Sequence, residues 1–328
     1  MILAEETLTA IELADTDALL RVVDGMTGRR AWDELSTLRT HLAAAVERGR
    51  QLWGVDEHIR YRMALEAPVE LAVAAVQEGP ARFTLGPLTE VAAHTRTFAQ
   101  MDPFLTSPTD RTVIAHERAI RGEEIAGDFD RGVFDIPLAA AWEPNYPLAE
   151  YHSDHADFPT PDPVDGEPIE LPDDPPRIED EPTEEALLAL VTPWTTMSNG
   201  VTDLAIVEGD AAAAIAALGV PAATGARVGL GVALAWMAWT AASGGAHGRR
   251  RGMAAGRFHA WSAVAALTGL DWPVDAEELR QAGSSLEWWL WNDGAATGWR
   301  LQIAIHDPMD GLGWAFSAAD ARTEGPDV

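Results

Sequence analysis

The chain has 328 residues, enough for two domains with buried cores, and 47% of these residues are hydrophobic. It contains no cysteine, which excludes disulfides, thiolate metal sites and a cysteine nucleophile. All 23 basic residues are arginines, so Schiff-base and phosphate-binding lysines are excluded as well. The formal net charge of −29 argues against a nucleic-acid partner, because the phosphates would be repelled.

The N-terminus lacks the basic and apolar regions of a signal peptide. The longest strongly apolar run, residues 229–242, is shorter than a membrane-spanning helix requires. We therefore expect a cytosolic protein that does not contact a membrane.

Residues 1–141 predict a helical domain, because apolar residues recur at helical spacing between short Gly and Pro connections. The expected helices cover residues 16–25, 30–48, 56–78 with an interruption at Pro68, and 87–101. The clearest start signal is Ser107-Pro108, a capping residue followed by a proline at the first helical position.

Residues 142–182 predict an acidic, proline-rich linker between two domains. The slightly longer segment 142–185 holds ten prolines and fifteen acidic residues but one arginine. Proline removes backbone donors and like charges resist collapse, so we expect an extended segment without regular structure.

Residues 183–328 predict an α+β domain in which an antiparallel β-meander packs on helices. Helices are expected at 184–191, 210–218, 226–242 and 252–268, and a short strand at 203–207. The hydrophobic period then changes to two, which predicts strands at 286–291, 299–305 and 312–318 with turns between them.

Ten of the thirteen tryptophans lie from Trp194 onward, and Trp288, Trp289 and Trp291 place indoles on both faces of one expected strand. One explanation is a sheet covered on both faces, by helices and by a neighbouring domain or subunit. The other is an aromatic binding surface for a ligand. In either case we expect Trp289 and Trp291 to form an interface with a protein partner or a second copy of the chain.

Residues 211–270 contain no acidic residue, and this window carries a Gly-rich loop with Arg249, Arg250 and Arg251, followed by Arg257. Guanidinium groups and glycine backbone suit a phosphate or carboxylate, so the loop is a candidate site for a small anion or a partner. Alternatively, these arginines pair with the protein's own acids, including those of segment 142–185. The loop matches no known nucleotide-binding signature, since it follows an expected helix.

The sequence around His152, His155 and Asp157 has the residue types of a metal site. The prolines and acids around it favour solvated side chains instead, so we expect no metal and no other cofactor.

These patterns together favour a binding or assembly protein without chemistry of its own, acting through the Trp-rich sheet and the Arg-rich loop. The alternative is an enzyme for a phosphorylated or carboxylate small molecule, held by residues 249–251 with His247 as the acid and base.

Overall fold

The computed structural model describes residues 3–126, 132–173, 175–294 and 298–321. The chain forms two compact units. Unit 1 comprises Met1–Asp128 and Ala149–Asp157, and unit 2 comprises Phe129–Leu148 and Phe158–Val328. The segment predicted as a linker therefore contributes residues to both units.

Unit 1 is helical, apart from one short antiparallel hairpin. Its helices are α1 (Glu5–Leu13), α2 (Thr16–Gly28), α3 (Trp32–Glu47), α4 (Trp53–Glu66), α5 (Val69–Gln77), α6 (Leu88–Thr95), α7 (Phe98–Met101) and α8 (Pro108–Ile120), with a 3₁₀ helix at Asp102–Phe104. The hairpin strands are β1 (Glu150–Tyr151) and β2 (Ala156–Asp157).

The helix boundaries of unit 1 follow local backbone chemistry. Ser107 caps α8, since its hydroxyl accepts a hydrogen bond from the amide of Asp110 at 3.2 Å, as the sequence predicts. The expected helix 56–78 is divided at Pro68, because the residue before a proline avoids helical backbone angles. Leucines such as Leu35, Leu38 and Leu42 on one face of α3 are fully buried in the core of this unit.

Unit 2 contains a six-stranded antiparallel sheet with helices on both faces. Its strands are β3 (Glu167–Ile169), β4 (Val201–Glu208), β5 (Ala223–Val228), β6 (Glu287–Asn292), β7 (Trp299–Asp307) and β8 (Leu312–Asp320). Its helices are α9 (Glu181–Ala189), α10 (Thr192–Met197), α11 (Ala211–Ala217), α12 (Leu230–Ala242), α13 (Met253–Leu267) and α14 (Ala276–Ser285), with a 3₁₀ helix at Gly132–Phe134. The strand order is β3-β5-β6-β7-β8-β4, so β6, β7 and β8 form the predicted meander.

The two faces of the sheet are covered differently. On one face, the indole N–H of Trp288 donates to the carbonyl of Gly283 in α14, and that of Trp314 donates to Thr183 in α9. On the other face the short helix α11 packs against β4, β7 and β8 through alanines and Ile215. The protein is therefore α+β, with its tryptophans concentrated in and around this sheet.

Several predicted elements differ from the structure. The helix expected at 87–101 is divided into α6 and α7, because Arg96 and Thr97 have extended backbone. The helix expected at 226–242 is wrong at its start, because residues up to Val228 extend β5 and pair with β6, and α12 begins only after Gly229. The segment expected to be unstructured contains β3, an edge strand that tolerates Pro168 because an edge position leaves one side of the strand without a sheet partner.

No helix in the described part of the chain is long and apolar enough to cross a membrane.

Candidate functional site

Glu143 and Arg257 form a buried ion pair in unit 2. Arg257 lies in α13, at the helix face that packs inside the unit, and its side chain is fully buried. Its Nε and Nη2 atoms donate to the two oxygens of the Glu143 carboxylate at 2.6 and 2.7 Å. Bidentate geometry of this kind is the strongest form of arginine–carboxylate pairing.

Other donors complete the coordination of the Glu143 carboxylate. The phenol of Tyr146 donates at 2.7 Å, the backbone amide of Ala140 at 2.7 Å and the indole of Trp261 at 3.1 Å. Burial opposes ionisation of Glu143, but the hydrogen bonds and charge of Arg257 outweigh burial and lower its pKa. Burial and the neighbouring carboxylate raise the pKa of Tyr146 well above its usual value, so the phenol stays a donor.

The guanidinium of Arg257 also lies 4.7 Å from the ring centroid of Trp261, against which Trp142 stacks at 5.8 Å. Because both charges are buried and the carboxylate is saturated with donors, an incoming anion would have to displace Glu143. The sequence placed Arg257 among the anion-binding residues; the structure instead places it against an acid of segment 142–185.

The Arg-rich loop, residues 243–252, connects α12 to α13. Its backbone amides at Ala246 and His247 donate to the Asp320 carboxylate at 2.6 Å and to the Ser198 hydroxyl at 3.1 Å. The amide of Arg251 donates to Ala242 at 2.7 Å. These amides therefore serve to hold the loop on its own unit.

The three adjacent arginines of this loop lie in different environments. Arg249 is exposed, and Arg250 is half-buried with its guanidinium 5.0 Å from the ring centroid of Phe158. Arg251 is half-buried and donates to the carbonyl of Ala189 at 3.3 Å and to Nε2 of His259 at 2.8 Å.

The hydrogen bond from Arg251 favours the neutral form of the His259 imidazole. Since a guanidinium only donates, Nε2 of His259 is the acceptor and the ring is neutral. Burial, assisted by the charge of Arg251, lowers the pKa of His259 to about 4. The general acid and base proposed from the sequence, His247, is exposed at the tip of the loop.

Trp291 is 5% exposed and packs in the cluster formed with α11. An interface was expected at this residue, but its side chain is buried in the core of its own unit. Trp291 also lines a cavity of about 160 Å³ with Trp236, Arg300 and Gln302. The cavity opens where β6 and β7 stop pairing after Leu290.

Trp289 lies on the same face as Trp291 but remains partly exposed at the edge of that cluster. It lines a groove of about 370 Å³ between β3 and α11, which we call the Trp289 groove. The apolar lining comes from Ile169, Ala211 and Ile215, and the acidic lining comes from Glu167, Glu170, Asp210 and Glu287.

The acidic residues of the groove differ in their partners. Glu287 is paired with Arg227 at 3.0 Å and lies 3.2 Å from His306, and Asp210 caps α11. Glu167 and Glu170 are exposed, and neither makes a salt bridge within the described residues. The groove therefore combines an indole floor with a negative rim.

In unit 1, the three metal-candidate residues do converge. Nε2 of His152 lies 3.2 Å from Oδ2 of Asp157, and Nε2 of His155 lies 3.9 Å from the same oxygen. The two imidazoles stack with their centroids 4.3 Å apart. All three side chains are at least partly exposed, so solvent reaches the cluster.

His152 and His155 belong to the turn between β1 and β2, which is closed by a 2.9 Å hydrogen bond from the amide of His152 to the carbonyl of His155, and Asp157 lies in β2. Local sequence therefore explains the convergence: a tight hairpin brings residues three and five positions apart onto one side. We call residues 150–157 the His-Asp hairpin.

Some contributing residues carry no sequence signal of function. Glu143 and Tyr146 are distant from Arg257 in sequence, and only the packing of the acidic segment on α13 joins them. The surplus of opposite charge in the two segments was the one signal that pointed to such a contact.

No curated protein and no solved structure matches the chain. One family matches over residues 17–310, which is most of the chain and includes parts of both units. The chain belongs to this family, which is described as "Family of unknown function (DUF6183)".

Proposed function

We propose that this protein is a cytosolic binding module that acts through protein–protein contacts and performs no chemistry of its own. The observation that supports this most directly is the Trp289 groove, where a partly exposed indole lies beside exposed carboxylates. Tryptophan is among the residues that most often dominate the binding energy of an interface.

The lining of the groove defines the partner chemistry. Ile169, Ile215 and Trp289 offer apolar area for one or two aliphatic or aromatic side chains. Glu167 and Glu170 on the rim favour a lysine or arginine next to them, and such charges act mainly on the association rate. We therefore propose that the groove takes a short segment of a partner protein that combines apolar and basic residues.

The enzyme alternative has less support from the same contacts. Arg257 is neutralised by Glu143, and the amides at Ala246 and His247 already have acceptors. An anion bound at the backbone of the loop would have to compete with the Asp320 carboxylate and the Ser198 hydroxyl for these amides.

Peptide display tests the binding proposal on the full-length protein. Peptides of random sequence selected on the wild type should be rich in apolar residues next to Lys or Arg. Trp289→Ala should weaken their binding by about 2 kcal/mol, or about 30-fold, because the indole supplies most of the apolar floor. Met309→Ala is the matched control, since Met309 is 86% exposed and lies outside the groove.

The double variant Glu167→Gln with Glu170→Gln tests the charge on the rim. It should weaken binding at low salt and have little effect at high salt, because exposed charges are screened. Selected peptides that bind Trp289→Ala and the wild type equally would contradict the proposal. Self-association of the wild type that Trp289→Ala abolishes, measured by sedimentation, would identify a second copy as the occupant in place of a different protein.

A further inference from the structure

We propose that the His-Asp hairpin binds a divalent transition-metal ion of the Zn²⁺ type through His152, His155 and Asp157. Imidazole nitrogens and one carboxylate oxygen are ligands that this class of ion prefers. The proposal concerns unit 1 alone and does not depend on the Trp289 groove.

The spacing of the donor atoms suits such an ion. In a tetrahedral zinc site with bonds of about 2.0 to 2.1 Å, ligand atoms lie about 3.3 Å from one another. The His152 Nε2 to Asp157 Oδ2 distance is 3.2 Å, and the His155 Nε2 to Asp157 Oδ2 distance is 3.9 Å. Metal binding requires the two stacked imidazoles to rotate so that both nitrogens point at the ion, and the exposure of the turn leaves room for this rotation.

A further carboxylate orients one of the ligands. Oδ1 of Asp154 lies 2.9 Å from Nδ1 of His155, so Nδ1 carries the proton and Nε2 presents its lone pair toward Asp157. Histidine ligands of metals usually donate their second nitrogen in this way, which fixes the tautomer and increases ligand basicity.

The backbone that carries the ligands is anchored at several points within unit 1. The buried phenol of Tyr151 donates to the carboxylate of Glu90 at 2.6 Å, and the phenol of Tyr61 donates to the carbonyl of His152. Arg121 donates to the carbonyl of Ala149 at 3.2 Å. The composition predicted a solvated strip here, but these anchors hold the hairpin in one conformation.

The three ligands come from one exposed turn, so further coordination positions face solvent. Sites with three protein ligands and an open position admit water or another ligand to the ion. Two imidazoles and one carboxylate also form the ligand set of non-haem Fe²⁺ sites, so the ions must be distinguished by experiment.

Calorimetric titration of the full-length, chelator-treated protein tests the proposal. The wild type should bind one equivalent of Zn²⁺, and bound Co²⁺ should show the visible bands of a low-coordinate site. Asp154→Ala should lower the affinity for Zn²⁺ by about 10-fold or more, because it frees the His155 ring. His155→Asn and Asp157→Asn should lower the affinity further, since each removes a ligand.

His41→Asn is the matched control, because His41 is an exposed histidine of unit 1 outside the hairpin, and it should bind like the wild type. Circular dichroism before titration shows that the variants are folded. Tighter binding of Fe²⁺ than of Zn²⁺ under anaerobic conditions, or equal competition by Mg²⁺, would overturn the assignment to a Zn²⁺-type site. Zn²⁺ binding that survives in the triple variant His152→Asn, His155→Asn, Asp157→Asn would overturn the site itself.

Discussion

Glu143 and Asp157 belong to the same acidic, proline-rich segment, but their carboxylates have opposite surroundings. The Glu143 side chain is 2% exposed and is surrounded by donors from α13 and from its own loop. The Asp157 side chain is 64% exposed and has two imidazoles as neighbours. One carboxylate is in unit 2 and the other is in unit 1.

This difference in exposure distinguishes carboxylates that stabilise the fold from carboxylates that can still bind a ligand. A buried carboxylate needs a donor for each lone pair, so Glu143 has no capacity left for a ligand. An exposed carboxylate retains water, which an ion can displace at low cost. Charge density along the sequence was similar in both places, and only burial distinguishes them.

We expect the largest loss of stability from breaking the buried ion pair of Glu143 and Arg257. Glu143→Gln preserves the shape of the side chain but removes the carboxylate charge that faces the buried guanidinium of Arg257. We expect the free energy of unfolding to fall by about 3 to 5 kcal/mol, as for other buried pairs that lose one partner. Urea denaturation followed by tryptophan fluorescence measures the change.

The matched control for that substitution is Glu277→Gln, which breaks an ion pair with Arg280 on the surface of α14. Its urea midpoint should equal that of the wild type, because exposed pairs contribute little. If Glu143→Gln and Glu277→Gln behave alike, the Glu143–Arg257 pair does not hold unit 2 together.

A prediction of intermediate size concerns His259, which is half-buried and accepts a hydrogen bond from Arg251. Its folded-state pKa of about 4 lies below the ordinary value of 6.5, so the unfolded chain binds the proton first as the pH falls. The stability that the protein has with a neutral His259 is therefore fully present above pH 6.5. It is lost progressively as the pH falls toward 4, because the unfolded chain takes up the proton first.

Thermal unfolding across that pH range tests the assignment. The melting temperature of the wild type should fall more steeply with acid than that of His259→Gln, which cannot titrate at this position. Arg251→Gln should reduce the slope only in part, because burial, the larger cause of the shift, remains. Identical slopes for wild type and His259→Gln would show that His259 does not titrate differently on folding.

Sequence patterns predicted the regular elements better than the contacts between them. The Ser107 cap of α8 and the β6 to β8 meander follow from local chemistry and period, and both are confirmed. Residues 226–228 of strand β5 were expected to be helical, since they lie just before the apolar run of α12 and only pairing with β6 identifies them as a strand.

For the candidate sites too, features that are local in sequence were easier to predict than contacts between distant residues. The sequence named His152, His155 and Asp157 as metal candidates because these donors lie close together along the chain, although no metal was expected there. The sequence offered a contact between the arginines and segment 142–185 as an alternative, but it could not assign Glu143 to Arg257, since that pair depends on how residues 142–148 pack on α13. The burial of Trp291 could not be predicted from the sequence either, since the residues that cluster with it come mainly from α11, β4, β7 and β8.

We expect the smallest change in stability from substitutions in the exposed His-Asp hairpin. Removing the charged side chains of the hairpin, in His155→Asn with Asp157→Asn, should leave the melting temperature of the metal-free protein unchanged. These groups are exposed, their contacts with one another are screened by water, and the backbone is held by Tyr61, Tyr151 and Arg121 instead. Scanning calorimetry in the presence of a chelator measures the change against the wild type. A marked loss of stability would mean that the hairpin side chains maintain the fold as Glu143 does, and the contrast between the two carboxylates would no longer hold.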